Sequence, residues 1–436
     1  MTITQLTLPT MRDSRLDGLP VAIIGAGPIG LAAAAQLLER GIEFVVYEAG
    51  ESVAASMEAW AHIRLFSPWS VLLDPASVRL LERTGWSQPD ATELPTAREL
   101  IDRYLSPLAA LPEIGSRIRL GSDVQAVTRQ GMDRTRSTSR ADTPFVLRIA
   151  EPSAVVEHAA RAVIDASGTY RNPNSLGSSG LDPLGFGDVA DRVSPALPDV
   201  LDTERERFAG RHTVVVGAGH SAANTLLTLA ELARQHPDTR VTWAIRNDRA
   251  VRVSASADDE LAARASLGSS LQQLIADGAV ELVDRFEIGR LIRRGSGVDI
   301  VGTRGGAPHT IAADRVVNAT GFRPDLAMLR EIRLDLDEVV EAPRGIAPLI
   351  DPNLHSCGTV EPHGFAELQQ PEPNFFIAGM KSYGRAPTFL LATGYEQVRS
   401  IAAWLAGDVA AARQVQLVLP ATGVCSTGDG QGSCCS

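Results

Sequence analysis

Lysine is almost absent from this chain of 436 residues. Of its 41 basic residues only Lys381 is a lysine, and all the others are arginines. Acidic residues outnumber basic ones, and the formal net charge of -11 argues against a general nucleic-acid-binding role, which needs a basic surface. A lone lysine among arginines is a candidate for a role that arginine does not fill, because its ammonium is a compact and movable charge.

Cysteine is also scarce. Cys357 stands alone, and the other three, Cys425, Cys434 and Cys435, lie close together near the end of the chain. So few cysteines do not form a disulfide framework, which predicts a protein of the reducing cytoplasm. Three neighbouring thiols on a glycine-rich segment suit a soft metal or metalloid such as trivalent arsenic. The alternative is an unstructured tail with incidental cysteines.

Long apolar runs are limited to residues 21–38, which carry no charge. This run contains three glycines and a proline, and a second amphipathic strand follows it. The pattern favours a strand, a turn and a helix over a signal sequence or a membrane span. We therefore predict a protein that acts on small molecules and associates with neither membranes nor nucleic acids. The sequence leaves open whether it forms a homo-oligomer.

A glycine-rich turn, GAGPIG, follows the apolar strand at residues 21–24 and precedes a helix predicted from about Leu31 to Arg40. Gly25 permits a tight turn, Gly27 lets the backbone approach a pyrophosphate, and Gly30 lets the helix pack on the strand. Glu48 ends the next strand, where a carboxylate accepts a hydrogen bond from a ribose hydroxyl. The pattern predicts a dinucleotide site rather than a purely structural turn.

A second turn of this kind, GAGHSA, contains Gly217, Gly219 and Ala222 and also follows an apolar strand. Its second strand ends at Arg246 rather than at an acid. An arginine at this place suits the 2′-phosphate of NADPH, whereas an acid suits NADH. The alternative is that Arg246 is an ordinary solvated residue of an arginine-rich chain.

Two dinucleotide motifs in one chain indicate a flavoprotein in which FAD binds at the first motif and NADPH at the second. Hydride then passes from the nicotinamide to the flavin. The predicted fold class is α/β, with two Rossmann-like three-layer domains.

The chain resembles the two-dinucleotide-domain flavoproteins, and among them the flavin-containing monooxygenase-like branch. The resemblance rests on the two glycine motifs, the turn ASG at 166–168, NATGFRP at 318–324 and FIAGMKSYG at 376–384. It implies that the NADPH domain is inserted into the FAD domain, with an FAD domain at 18–170 and 323–412, a connector at 171–210, an NADPH domain at 211–322 and a flexible cysteine-containing tail at 413–436.

The resemblance also implies roles for further residues. Arg64, Thr320, Gly321 and Gly379 are expected to help bind the cofactors, and Ser67 and Trp69 lie in the stretch that lines the flavin in such proteins. The candidate catalytic residues are expected near the flavin's polar edge, where a cation stabilises the reduced, anionic ring; they are Lys381, Tyr383 and Arg385.

Two departures keep the reaction open. Residues 186–198 lack the histidine motif that flavin-containing monooxygenases carry before the second glycine turn, and the chain has no CxxC pair of the thioredoxin-reductase type. The tail resembles the paired cysteines of mercuric reductases and, with MKSYGRAPTFL, the flavoprotein monooxygenases associated with arsenic resistance.

Three functions therefore remain in view. The first is a monooxygenase in which reduced FAD activates oxygen at its C4a atom and passes one oxygen atom to sulfur, nitrogen or trivalent arsenic. The second is a reductase that receives a metal ion or disulfide from the tail thiols. The third is a non-catalytic flavoprotein that binds metalloids through the tail.

Overall fold

The computed structural model describes residues 15–248, 262–351, 362–386 and 389–417. Strands and helices alternate through most of this part of the chain. The strands are β1 (Val21–Ile24), β2 (Phe44–Tyr47), β3 (Ile118–Arg119), β4 (Asp123–Arg129), β5 (Phe145–Ala150), β6 (Val155–Ala160), β7 (Ala162–Asp165), β8 (Val193–Ser194), β9 (His212–Val216), β10 (Arg240–Ala244), β11 (Glu281–Val283), β12 (Phe286–Arg294), β13 (Gly297–Arg304), β14 (Ala307–Ala313), β15 (Arg315–Asn318) and β16 (Phe375–Ile377).

The α-helices are α1 (Pro28–Glu39), α2 (Ala55–Glu58), α3 (Pro75–Glu82), α4 (Ala97–Leu100), α5 (Ser106–Ala109), α6 (Pro112–Gly115), α7 (Arg205–Phe208), α8 (His220–Gln235), α9 (Ala262–Ala276), α10 (Ala347–Ile350), α11 (Phe365–Leu368), α12 (Leu391–Leu405) and α13 (Val409–Arg413). No helix within the described ranges is both long and apolar enough to cross a membrane.

Two parallel sheets organise the molecule. The first has the order β16-β7-β1-β2-β3, and the second has the order β11-β10-β9-β15-β8. Every strand of the second sheet lies between β7 and β16 along the chain, so the second sheet is an insertion into the first. The fold is therefore the predicted α/β class with two Rossmann-like units.

Each parallel sheet is covered on both faces, as its nearly continuous apolar strands require. In β1, Val21 and Ile23 pack into the core that contains α1 and α12, whereas Ala22 and Ile24 pack into the core beneath β4 and β5. An antiparallel sheet of β4, β5 and β6 thus covers one face and helices cover the other. The second sheet repeats this arrangement with α8 on one side and β12, β13 and β14 on the other.

The first nucleotide helix begins earlier than its sequence predicts. We expected it to start near Leu31, but α1 starts at Pro28, with Gly27 as its N-cap. Proline fits the first helical position because that position has no intrahelical partner for an N–H. The third glycine therefore lies inside the helix.

The predicted connector at 171–210 is partly ordered into the second unit. Its strand β8 forms an edge of the second sheet by pairing with β15, and α7 follows it. The apolar runs in this stretch are short and are interrupted by glycine and proline, so the sequence alone does not indicate a strand there.

The polar loop between β4 and β5 contains a buried charge cluster. Arg129 Nε lies 2.8 Å from Glu372 Oε1, and Arg140 Nη2 lies 2.8 Å from Glu372 Oε2. Arg129 and Glu372 have fully covered side chains, although the surrounding sequence is that of an exposed hairpin tip. The cluster joins this hairpin to the segment that precedes β16.

Candidate functional site

A cavity of about 870 Å³ lies where the strands of the first sheet end. Its lining includes residues that follow four of these strands, namely Gly25 after β1, Glu48 after β2, Ser167 after β7 and Gly379 after β16. The carboxyl ends of parallel strands are the usual place for ligands in open α/β sheets. Four separate sequence motifs thus meet in one cavity.

The first turn of α8 reaches the same cavity through His220, Ser221 and Asn224. The ring centroid of His220 lies 5.6 Å from that of Phe66, a cavity residue from the segment after α2. The second glycine motif therefore borders the same space as the first through His220 and Ser221, whereas Gly217, Gly219 and Ala222 are outside the cavity lining.

The three glycines of the first loop have different surroundings. Gly25 has a φ of 97°, and a Cβ there would lie 2.8 Å from the carbonyl oxygen of Ala166. A Cβ on Gly30 would lie 1.9 Å from the carbonyl oxygen of Gly25. Gly27 differs, because a Cβ there would meet no atom within 4 Å. The space beside Gly27, at the N-terminus of α1, is the position that a phosphate needs.

Glu48 is held by the backbone around it. The amide of Ala26 donates to Oε2 at 2.7 Å, and the amide of Gly50 donates to Oε1 at 2.8 Å. A carboxylate oxygen accepts more than one hydrogen bond, so both oxygens keep capacity for a ribose hydroxyl. Glu48 lines the cavity in the orientation that these two amides fix.

The second glycine loop is built like the first. Gly217 has a φ of 135°, and a Cβ there would lie 2.1 Å from the carbonyl oxygen of Ala319. Gly219 is the N-cap of α8, and a Cβ there would meet nothing within 4 Å. Ala222 is fully buried where α8 packs on the sheet. The loop therefore has the tight turn, the open approach and the close helix packing of a dinucleotide motif.

Arg246 is exposed directly beyond the end of β10, and its Nη1 donates to the carbonyl oxygen of Ser178 at 3.2 Å. It is outside the cavity lining. Arg249 and Arg252, which the sequence places close behind, lie outside the described residues.

Thr320 and Gly321 follow β15, where the chain leaves the second sheet and returns to the first. The amide of Asn174 donates to the carbonyl oxygen of Gly321 at 2.9 Å, and Thr320 Oγ1 lies 3.0 Å from the carbonyl oxygen of Asn174. Neither Thr320 nor Gly321 lines the cavity, but the neighbouring Phe322 does, with its ring centroid 5.0 Å from that of Tyr170. The structure thus places these two predicted cofactor residues behind the cavity wall.

Lys381 lies in a buried polar network at the cavity floor. Its Nζ donates to Asp165 Oδ2 at 2.6 Å and to Ser167 Oγ at 3.1 Å. Ser167 Oγ in turn donates to Asp165 Oδ1 at 2.6 Å. The side chains of Lys381 and Asp165 have no exposed surface. The ammonium is therefore paired and covered rather than open to the cavity.

The other two candidate catalytic residues lie elsewhere. Tyr383 is buried against Phe389, with ring centroids 5.0 Å apart, and burial raises its pKa above the ordinary value. Arg385 Nε pairs with Glu341 Oε2 at 2.6 Å on a partly exposed surface. Neither residue lines the cavity, so the structure brings only Lys381 of these three to it.

Residues of the segment after α2 divide between the cavity and the core. Arg64 and Ser67 line the cavity, and Arg64 Nη1 donates to the carbonyl oxygen of Leu94. Trp69 is fully buried, and the guanidinium carbon of Arg103 lies 5.4 Å from its ring centroid. Trp69 is a packing residue and not part of the cavity lining.

All four cysteines, including the candidate metalloid thiols Cys425, Cys434 and Cys435, lie outside the described residues. Within the ranges that the structure describes, no group of histidine, cysteine and acidic side chains is arranged to hold a metal ion.

Two residues of the site were not predicted from the sequence. Asp165 ends the otherwise apolar strand β7, and a charged residue at the carboxyl end of a buried strand is a signal that could have identified it. Asn224 lies four positions after His220 and so shares its face of α8.

Comparison with known proteins gives the family. The family of pyridine nucleotide-disulphide oxidoreductases matches residues 22–343, a range that includes both glycine motifs. The chain belongs to this family. It is therefore an oxidoreductase of the flavoprotein superfamily that the motifs indicate.

Relatives within this group differ in reaction. The chain is 28% identical over 219 residues to the probable indole-3-pyruvate monooxygenase YUCCA8 of Arabidopsis thaliana, which covers 48% of this chain and 44% of that protein. It is 25% identical over 369 residues to ferredoxin–NADP reductase of Rhodospirillum rubrum, covering 82% and 90%. The chain thus spans less than half the length of the plant monooxygenase that it matches.

Solved structures share the fold. Bacillithiol disulfide reductase Bdr from Bacillus cereus superposes with a TM-score of 0.65 and 20% identity over 89% of this chain and 99% of that one. The FAD-bound cadaverine monooxygenase DfoA from Erwinia amylovora gives 0.63 and 13% over 95% and 99%. At these identities the likeness shows the fold alone.

Proposed function

We propose that this chain is an NADPH-dependent FAD oxidoreductase, with monooxygenation of a soft nucleophile as its reaction. The observation that carries the proposal is that residues of both glycine motifs line one cavity, Gly25 and Gly27 from the first motif and His220 and Ser221 from the second. Two cofactors bound at these motifs would approach each other, as hydride transfer between them requires. In this proposal the FAD domain comprises 18–170 and 323–412, and the NADPH domain comprises 211–322.

The residues around the first loop fit FAD. The open space at Gly27 and the N-terminus of α1 suit its pyrophosphate, because the first amides of a helix have no intrahelical acceptor. The fixed carboxylate of Glu48 suits a ribose hydroxyl. Arg64 lines the same cavity and supplies a cation.

The residues around the second loop fit NADPH. The open space at Gly219 and the N-terminus of α8 suit the second pyrophosphate. Arg246, exposed just beyond the end of β10, would bind the 2′-phosphate, and no acid ends that strand.

Bound FAD would accept hydride from NADPH and activate oxygen for transfer to the substrate. The chain's own contribution is to orient the cofactors and to exclude water. Apolar side chains form much of the cavity lining; they include Phe66, Leu197, Phe322, Phe389 and Leu390. Such a wall protects a reactive intermediate from hydrolysis and proton leakage.

The substrate proposed is a sulfur, nitrogen or trivalent arsenic centre. These nucleophiles need little acid–base assistance from the protein, because the flavin would supply the chemistry. The names of the relatives reported above indicate other substrates. A trivalent arsenical is therefore proposed from the sequence of the cysteine-containing tail.

A reductase is the second candidate. The reductase from Rhodospirillum rubrum aligns over most of both chains, and Bdr shares the fold. A dithiol of this chain would have to come from outside the described residues, because all four cysteines lie there.

One experiment separates these functions. Purified protein is tested for bound yellow flavin, and NADPH consumption is followed with and without oxygen in the presence of a thioether, an amine or a trivalent arsenical. A monooxygenase consumes NADPH and oxygen together and yields the oxygenated product. Substrate turnover that persists without oxygen establishes the reductase, and protein that takes up no FAD contradicts both.

A further inference from the structure

A buried ion pair joins the two separate parts of the first sheet at the cavity floor. Asp165 ends β7, and Lys381 follows β16, its neighbour in the sheet. Neither side chain is exposed, and Nζ and Oδ2 are 2.6 Å apart. Removing one partner of such a pair leaves an uncompensated buried charge, so each holds the other in place.

Ser167 connects this pair to the cavity. Its hydroxyl accepts from Lys381 and donates to Asp165, and its amide donates to Asp165 Oδ1 at 3.2 Å. Ser167 and Lys381 both line the cavity, whereas Asp165 does not, and only Ser167 of the three is exposed. Ser167 is therefore the residue that gives this covered pair an exposed contact with the cavity.

The turn that contains Ser167 also supports the first glycine loop. The amide of Ala166 donates to the carbonyl oxygen of Ile24 at 2.9 Å. A Cβ on Gly25 would lie 2.8 Å from the carbonyl oxygen of Ala166 and 3.0 Å from Cα of Ser167. The position of the turn at 166–168 thus fixes the position of the loop beside the proposed pyrophosphate site.

We propose that Lys381 and Asp165 are positioning residues of the FAD site, which act through Ser167 on the turn at 166–168 and the loop at Gly25. This inference rests on the proposed function. It assigns Lys381 a different role from a cation that faces the flavin, because a carboxylate at 2.6 Å offsets its charge at the cavity.

The test measures the dissociation constant of FAD for apo-protein by flavin fluorescence, well below the melting temperature. We expect Lys381→Met and Ser167→Ala each to raise this constant roughly tenfold or more, since small displacements of a binding loop have effects of this size. We expect the dissociation constant of the double variant to be no higher than that of the single variant with the lower FAD affinity. Both substitutions break the same link, so their effects should not add.

The matched control is Glu372→Gln. It breaks another fully covered ion pair, Arg129–Glu372, in which the side chains also have no exposed surface. Glu372 is outside the cavity lining. This variant should lower the melting temperature and leave the FAD dissociation constant within about twofold, which separates positioning from general stability.

Each other outcome contradicts a different claim. Additive effects of the two substitutions, or unchanged FAD affinity with a shifted midpoint potential in Lys381→Met, would overturn the positioning role. Wild-type protein that binds no FAD would overturn the proposed function instead. If Lys381→Met does not fold, Asp165→Asn takes its place in the cycle with Ser167→Ala.

The sole lysine also allows a test on the wild-type chain. An amine-reactive reagent followed by mass spectrometry labels only Lys381 and the N-terminal amine. We expect slow labelling of Lys381 that FAD slows further and Ser167→Ala accelerates. Labelling of Lys381 as fast as the N-terminal amine in FAD-loaded protein would contradict the buried pair.

Discussion

Gly217 packs so closely on Ala319 that a Cβ would lie 2.1 Å from the alanine's carbonyl oxygen. Gly25 and Ala166 have the same relationship in the first unit, at 2.8 Å. Ala166 and Ala319 each follow the strand next to the glycine loop, β7 and β15 respectively. Both units therefore use a small-residue turn to support a glycine loop, and a change at either glycine disturbs two segments.

Gly25→Ala should reduce the stability of the protein, whereas Gly27→Ala should reduce its affinity for FAD. The first places a Cβ against Ala166 at a φ of 97°, so it should destabilise the protein by about 1–3 kcal/mol of backbone strain or more. The second meets open space at a negative φ, so it should preserve the fold but occupy the phosphate approach. Thermal unfolding and FAD titration of the apo-proteins give the comparison.

The FAD affinity of Gly27→Ala tests the proposed position of the pyrophosphate. Gly27→Ala should bind FAD at least about tenfold more weakly, because a phosphate bound at helix amides allows little space for a side chain. Normal FAD affinity in Gly27→Ala would mean that the pyrophosphate does not lie at the N-terminus of α1.

Arg246→Ala should raise the KM for NADPH about tenfold or more and leave the KM for NADH unchanged. An arginine binds a phosphate through charge-assisted hydrogen bonds, and NADH lacks the 2′-phosphate. Arg240→Ala is the control, since Arg240 is an exposed arginine at the other end of β10. Equal effects of Arg246→Ala on both nucleotides, measured in steady-state assays, would refute the phosphate role.

The buried cluster at Glu372 should make stability depend on acid pH. Burial opposes ionisation of Glu372, but hydrogen bonds from Arg140 and Arg129 outweigh it and lower the pKa. A carboxylate whose pKa is lower in the folded than in the unfolded state stabilises the fold above its unfolded pKa. This contribution is lost as the pH falls through the folded pKa.

Urea unfolding from pH 7 to pH 3 measures this effect. The difference in unfolding free energy between wild type and Glu372→Gln should be constant above about pH 5 and shrink below it. Glu157→Gln is the control, because Glu157 and its partner Arg148 are both more than half exposed and such pairs contribute little. Parallel curves for wild type and Glu372→Gln would contradict the assignment.

Local sequence patterns predicted the parts of the fold that depend on local structure. Both glycine loops and the strands beside them lie close to where spacing and apolar periodicity place them. These signals are short-range because strand, turn and helix follow one another directly along the chain.

Long-range pairings had no such signal. Lys381 and Asp165 are 216 positions apart, and Arg129 and Glu372 are 243 positions apart. Charged residues are ordinarily exposed, so nothing in the sequence around Arg129, at the end of β4, distinguishes it from the exposed arginines of the loop that follows. Lys381 stands out in the composition, but its pairing with Asp165 depends on β7 and β16 being neighbours in the sheet, which no local pattern predicts.

The tail thiols give the last prediction. Replacing Cys425, Cys434 and Cys435 together by serine should leave FAD binding and the KM for NADPH unchanged, since neither glycine loop contains cysteine. If these thiols capture a soft metalloid, the variant should bind a trivalent arsenical at least about tenfold more weakly, because serine oxygen is a poor ligand for soft centres. Cys357→Ser is the control, as it removes one thiol outside the cluster. Equal arsenical affinity in wild type and the triple variant, measured by calorimetry under reducing conditions, would remove the tail from substrate capture and leave sulfur and nitrogen nucleophiles as the proposed substrates.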